Sequence, residues 1–168
     1  MILKISFSVL TVILGTLTGV YFSRLVENRL LLLREYLYYL TQCRSAIGYA
    51  LCGIEELLSL DSGKRIGEIQ SETLQLIKNN VSPDIAWGMA VDSVRPRYRL
   101  RGEDYSLLRS FMSDFGISDR DGEIKKIALK QDMLRQRLET LEREAADKKK
   151  IYRITGAFAG VIIAVTVV

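Results

Sequence analysis

Histidine is absent from this 168-residue chain. With it go the commonest general base, the commonest activator of a nucleophile and the commonest transition-metal ligand. Proline is scarce, with only Pro83 and Pro96, so long stretches are free of helix-breaking residues. The two cysteines, Cys43 and Cys52, sit between apolar neighbours. Their spacing is neither a zinc pair nor a redox CxxC, and they read as small buried hydrophobes in a reducing compartment. No glycine-rich phosphate loop or carboxylate pair stands out. The chain therefore offers no catalytic residue, cofactor-binding residue or metal ligand, and it reads as non-enzymatic and cofactor-free. Its net charge is only +4. That charge is spread out, without the concentrated basic face of a nucleic-acid binder, so nucleic acid is not an expected partner.

Charge is also missing from both ends. Ile5 to Ser23 is an uncharged apolar run of 19 residues, and Ile154 to Val168 is a second of 15. An uncharged stretch of about 18 or more apolar residues is long enough to cross a bilayer as a helix. A helix satisfies its own backbone hydrogen bonds in lipid, which makes it the natural form for a single span. The first run lacks a small-x-small cleavage site, its exit reading Gly19-Val20-Tyr21-Phe22-Ser23-Arg24. It reads as a retained anchor rather than a signal peptide. The second run covers only about 22 Å of a core about 30 Å thick. Snorkelling of Arg153 lengthens it by Ile151 and Tyr152. The expected division is an N-terminal transmembrane helix over 1–23, a helical bundle over 24–153 and a C-terminal transmembrane helix over 154–168. Arg24, Arg29 and Arg34 follow the first run, and Lys148, Lys149, Lys150 and Arg153 precede the second. Only Lys4 lies on the other side. Basic residues gather on the cytoplasmic side, so the bundle is expected in the cytoplasm and both termini outside the cell membrane. Each run holds one GxxxG pattern, Gly15 with Gly19 and Gly156 with Gly160, where two helices can approach closely. Self-association is a further expectation.

Between the runs the pattern is helical throughout, which makes the fold class all-α. Six segments can be drawn. The first, from about Leu25 to Ile47, repeats Val26, Leu30, Leu33, Leu37, Leu40 and Ile47 at three- and four-residue steps, with Arg44 the odd member of the stripe. A short segment covers Ile54 to Leu60 and ends in Asp61-Ser62-Gly63. The third runs from Lys64 to Asn80 with Ile66, Ile69, Thr73, Leu76 and Ile77 on one face. The fourth opens at Ser82-Pro83, an N-cap followed by a proline suited to the first helical position. It continues through Trp87, a core anchor, to about Val94. The fifth starts near Gly102, presents Tyr105, Leu108, Met112 and Phe115, and closes at Gly116. The sixth starts at Ser118 or Asp119, and its stripe is Ile124, Ile127, Gln131, Leu134, Leu138, Leu141 and Ala145. The first and last helices each carry a stripe and are expected to meet.

The densest cationic feature is Arg95, Arg97, Arg99 and Arg101, which alternate with Pro96, Tyr98 and Leu100. Pro96 disfavours helix, so this reads as a loop whose guanidinium groups suit acidic partner side chains or anionic headgroups.

The ordered set Ile47-Gly48-Tyr49, Ala86-Trp87, Phe115-Gly116-Ile117-Ser118-Asp119 and Lys150-Ile151-Tyr152-Arg153-Ile154-Thr155-Gly156, followed by Gly160, resembles the stage III sporulation protein AB family. The chain departs from that pattern at Ser45-Ala46, Leu51-Cys52-Gly53 and Glu123. The resemblance implies a bundle similar to the cytoplasmic domain of the platform protein of type II secretion and type IV pilus machines. It also implies a place in the mother-cell membrane around the forespore, within a channel complex. There the chain would act as a platform coupling a cytoplasmic sporulation ATPase to other channel membrane proteins. The alternative is a membrane-anchored helical sensor or signalling module, which requires a ligand-binding domain outside, where only a few residues lie.

Overall fold

The computed structural model describes the backbone of residues 2–49, 53–113, 115–116 and 118–167. It describes side chains over 24–146, apart from 25, 50–52, 114 and 117. Among the described residues the chain is all-helical, with six helices and no strand. They are α1 (Ile2–Tyr49), α2 (Ile54–Leu58), α3 (Lys64–Lys78), α4 (Pro83–Tyr98), α5 (Gly102–Arg109) and α6 (Arg120–Val167). Two compact units can be separated: residues 29–139, and a second formed by 1–28 with 140–168. Among the described residues no helix is long and apolar enough to cross a membrane. The two apolar runs and their glycines, Gly15, Gly19, Gly156 and Gly160, lie outside the residues whose side chains are described.

Within the unit 29–139, α1 and α6 meet. Gln131 Nε2 donates to Thr41 Oγ1 at 2.8 Å, and Arg120 Nε donates to the carbonyl of Ile47 at 3.0 Å. The second contact satisfies one of the last carbonyls of α1, which have no partner inside their own helix. The α6 stripe is largely as the sequence predicts: Ile127, Gln131, Leu134, Leu138 and Leu141 are buried, while Ile124 and Ala145 are half-buried. The α1 stripe is rotated. Its buried line is Leu32, Leu33, Tyr36, Tyr39, Leu40, Cys43 and Ile47. Val26, Leu30 and Leu37 are only half-buried, and Arg44 faces solvent.

The rotation follows from the tyrosines. Tyr36 OH donates to the carbonyl of Leu107 at 3.2 Å, and Tyr39 OH donates to that of Leu57 at 3.3 Å. Each ring thus buries a large apolar surface while its hydroxyl keeps a partner. The rings join Trp87 and Phe111 in one cluster. Tyr39 stacks on Trp87 with centroids 6.1 Å apart, and Trp87 meets Phe111 at 5.1 Å. Trp87 Nε1 donates to the carbonyl of Leu108 at 2.7 Å, which fixes α4 against α5. Cys43 is a free, buried thiol in this core.

The start of α3 is capped from α1. Glu35 Oε2 accepts from the backbone N–H of Arg65 at 2.6 Å and of Ile66 at 3.3 Å, and Glu35 Oε1 accepts from Arg65 Nη1 at 2.7 Å. A carboxylate at a helix N-terminus meets both unpaired N–H groups and the positive end of the helix dipole. Gly63 permits this approach: its φ is +86°, and a Cβ there would lie 2.8 Å from Glu35 Cδ. At the start of α6, Asp119 Oδ1 accepts from Gly122 N–H at 3.1 Å, which makes Asp119 the N-cap.

Candidate functional site

The arginine row is a helix end, not the loop that Pro96 suggests. Arg95 and Arg97 lie in the last turn of α4, Arg99 follows it with φ +49°, and Arg101 precedes α5. A proline inside a helix removes one hydrogen bond and crowds the preceding turn, at a cost of about 3 kcal/mol. Here the apolar residues interleaved with the arginines offset it. Val94, Tyr98 and Leu100 are all buried, and each such side chain contributes about 1.5–3 kcal/mol. The turn then closes by two backbone bonds, Leu100 N–H to Arg95 O at 3.1 Å and Arg99 N–H to Pro96 O at 3.4 Å. This is the Schellman arrangement, with an arginine where glycine is usual.

All four arginines are exposed, but they are not equivalent. Arg97 Nη1 pairs with Glu68 Oε2 at 2.7 Å. Arg95 lies over the ring of Tyr105, its guanidinium carbon 4.2 Å from the centroid. Arg109 approaches the same ring at 6.0 Å. Tyr105 OH donates to Asp92 Oδ1 at 2.5 Å, and Arg109 Nε lies 3.6 Å from Asp92 Oδ2. The Asp92 carboxylate raises the pKa of the Tyr105 hydroxyl, chiefly by accepting its hydrogen bond. The corner between α4 and α5 therefore carries an exposed network of Arg95, Tyr105, Asp92 and Arg109. Sequence reading reached only its first member, because Tyr105 and Arg109 fall in a different helix.

Beneath the corner lies a second ionic feature. Asp104 on α5 is fully buried. Arg137 Nε from α6 donates to its Oδ1 at 2.6 Å, and Arg29 from α1 pairs with its Oδ2. Both arginine side chains are about one-fifth exposed, so their charge reaches water while the carboxylate does not. A buried charge is tolerated when it is paired and hydrogen-bonded on its free lone pairs. In sequence, Asp104 looks like an ordinary acid in the first turn of a helix, and Arg29 like a membrane-flanking cation. Nothing local points to their meeting. Among the described residues no buried side-chain nitrogen or oxygen lacks a partner.

These features define an all-helical bundle with a buried ionic node joining three helices and an arginine-rich exposed corner. The chain belongs to the stage III sporulation protein AB family, whose model matches residues 4–168. The protein accordingly has a role in sporulation. Comparison with curated proteins and with solved structures gave no match.

Proposed function

We propose that the protein is a non-enzymatic membrane platform in a sporulation channel, anchored by a helix at each end and coupling a cytoplasmic ATPase to other membrane parts. The observation that carries this reading is the family match over 4–168 on a chain whose two ends are uncharged apolar runs. All 20 acidic residues and every basic residue except Lys4 lie between those runs. The basic residues at Arg24, Arg29 and Arg34 and at Lys148 to Arg153 place the bundle in the cytoplasm by the positive-inside rule, with both termini outside. The secretion-platform likeness supplies the coupling role by analogy of fold, and Arg95, Arg97, Arg99 and Arg101 supply a surface suited to carboxylates.

Two measurements in sporulating cells test the reading. A cysteine placed at exposed Ser71, in a chain whose own cysteines are replaced, should resist an impermeant thiol reagent until the membrane is opened. Labelling in intact cells overturns the topology. The full chain should also co-purify from the membrane fraction with the sporulation ATPase, and recovery of the chain in the soluble fraction overturns the anchor.

A further inference from the structure

The face of α4 that runs toward the arginine corner is apolar and uncovered. Ile85 is 55 % exposed and Met89 49 % exposed, one helical turn apart. Between them on the same face is Gly88, where the absence of a side chain leaves a notch. The Arg109 guanidinium lies over that notch, and a Cβ at Gly88 would be 3.5 Å from its Nη2. Tyr105 and Arg109 of α5 form the opposite wall, and the groove between the helices has a volume of about 440 Å³.

We infer that this groove is a docking site for an amphipathic helix with an acidic flank, supplied by a partner protein. Two features select that occupant. The first is charge. At the corner, two guanidinium groups, Arg95 and Arg109, flank Tyr105 against a single carboxylate, Asp92. Asp92 is already engaged by the tyrosine hydroxyl, and its contact with Arg109 is long at 3.6 Å and open to water, with side-chain exposures of 44 % and 52 %. A pair of that kind is held weakly and exchanges readily. An incoming carboxylate meets an arginine able to bind it through two parallel N–H groups.

The second feature is shape. The groove lies between two helices, and among the described residues there is no strand whose edge an extended peptide could join. Helix-in-groove binding places apolar anchors at i and i+4 into such a furrow. Ile85 and Met89 set that spacing, and Arg95 lies about 15 Å along α4 from Ile85 at the helical rise. The ligand is therefore a helix of about three turns, apolar at one end and carrying Asp or Glu at the other. The surface needs neither the membrane anchor nor the ATPase coupling, so its failure leaves both of those readings standing.

The test uses the full chain in detergent micelles and a fluorescent synthetic helix. The helix carries two leucines four residues apart, followed one and two turns later by glutamates. A control peptide carries lysines in place of those glutamates. Fluorescence anisotropy at low salt should show the glutamate peptide binding at least about tenfold more tightly than the lysine peptide, as expected of complementary charge at an open groove. The double variant Ile85→Ser, Met89→Ser should lose most binding of the glutamate peptide. Arg109→Gln should abolish the preference for glutamate over lysine, and Arg109→Lys should restore part of it. All these positions are exposed, so an unchanged melting temperature is required of each variant. Equal affinity for the two peptides, no measurable binding of the glutamate peptide, or wild-type affinity in the Ile85, Met89 variant each overturns the site. Capture of a second copy of this chain, or of lipid, by a photo-crosslinker at Met89 also overturns it.

Discussion

Arg137 Nε donates to Asp104 Oδ1 at 2.6 Å, from α6 onto a fully buried carboxylate of α5 whose other oxygen is held by Arg29 of α1. One acid thereby ties three helices that are distant in sequence. Removing one partner of a buried ion pair leaves an uncompensated charge, which costs about 3–5 kcal/mol. Either Arg29→Met or Arg137→Met alone leaves one arginine in place and should cost less than that. The two together should cost the full amount. Adding Asp104→Leu to the pair should recover most of the loss, because an apolar replacement of a buried ionic cluster is often neutral or stabilising. Thermal unfolding of the full chain in detergent measures all four variants. A triple variant no more stable than the double one shows that the node is held by shape rather than by charge.

Gly63 and Glu35 form a second long-range device. Gly63→Ala puts a side chain at φ +86° and within 3.0 Å of the Glu35 carboxylate. The strain and the displaced cap together should cost about 1–3 kcal/mol. Glu35→Ala should cost about 1–2 kcal/mol by uncapping α3, and Glu35→Gln less, since the amide oxygen still accepts from the backbone. Gly63→Ala in a Glu35→Ala background should add only the backbone strain. A fully additive double variant removes the proposed contact.

Alkaline stability should depend on Tyr39. Burial, and then the nearby Cys43, push its hydroxyl well above the usual value. The folded state therefore holds the proton after the unfolded chain has released it. The contribution is fully present at neutral pH. It declines as pH rises past about 10, at about 1.4 kcal/mol per pH unit for a single such group. Tyr98 and Tyr105 are shifted in the same direction, so part of the slope should survive in Tyr39→Phe. Urea unfolding at pH 9 and pH 11 should show a smaller loss in the variant than in the native chain.

The two long helices show what the sequence makes legible. In α6 the three-four pattern runs through aliphatic residues, and the buried Leu134 is found directly from it. In α1 the same counting favours leucines and selects Leu37, while the core takes Tyr36, Tyr39 and Cys43 instead. Whether a tyrosine faces inward depends on a carbonyl supplied by another helix, which no local pattern contains. The same holds for Asp104, whose two arginines lie on α1 and α6, and for the helical setting of Pro96, which depends on burial of Tyr98 and Leu100. Leu134→Ala should accordingly cost about 2–5 kcal/mol, and Leu37→Ala about 1 kcal/mol or less, in thermal or urea unfolding. Equal losses contradict the rotation of α1.

The arginine row separates folding from function most directly. Changing Arg95, Arg97, Arg99 and Arg101 together to Ser removes one exposed ion pair, Arg97 with Glu68, and one exposed stacking contact, Arg95 on Tyr105. Such contacts are each worth about 1 kcal/mol or less, so the bundle should keep its helical content. Arg99→Gly alone gives a sharper comparison. The backbone at Arg99 is left-handed, φ +49°, where a side chain costs about 1 kcal/mol and glycine costs nothing. Arg99→Gly should therefore raise the melting temperature while removing a guanidinium. If the row grips a partner, the fourfold variant lowers spore yield at normal protein level, and Arg99→Gly weakens the contact despite its greater stability. Normal sporulation in both variants makes the row a solvated helix end and nothing more.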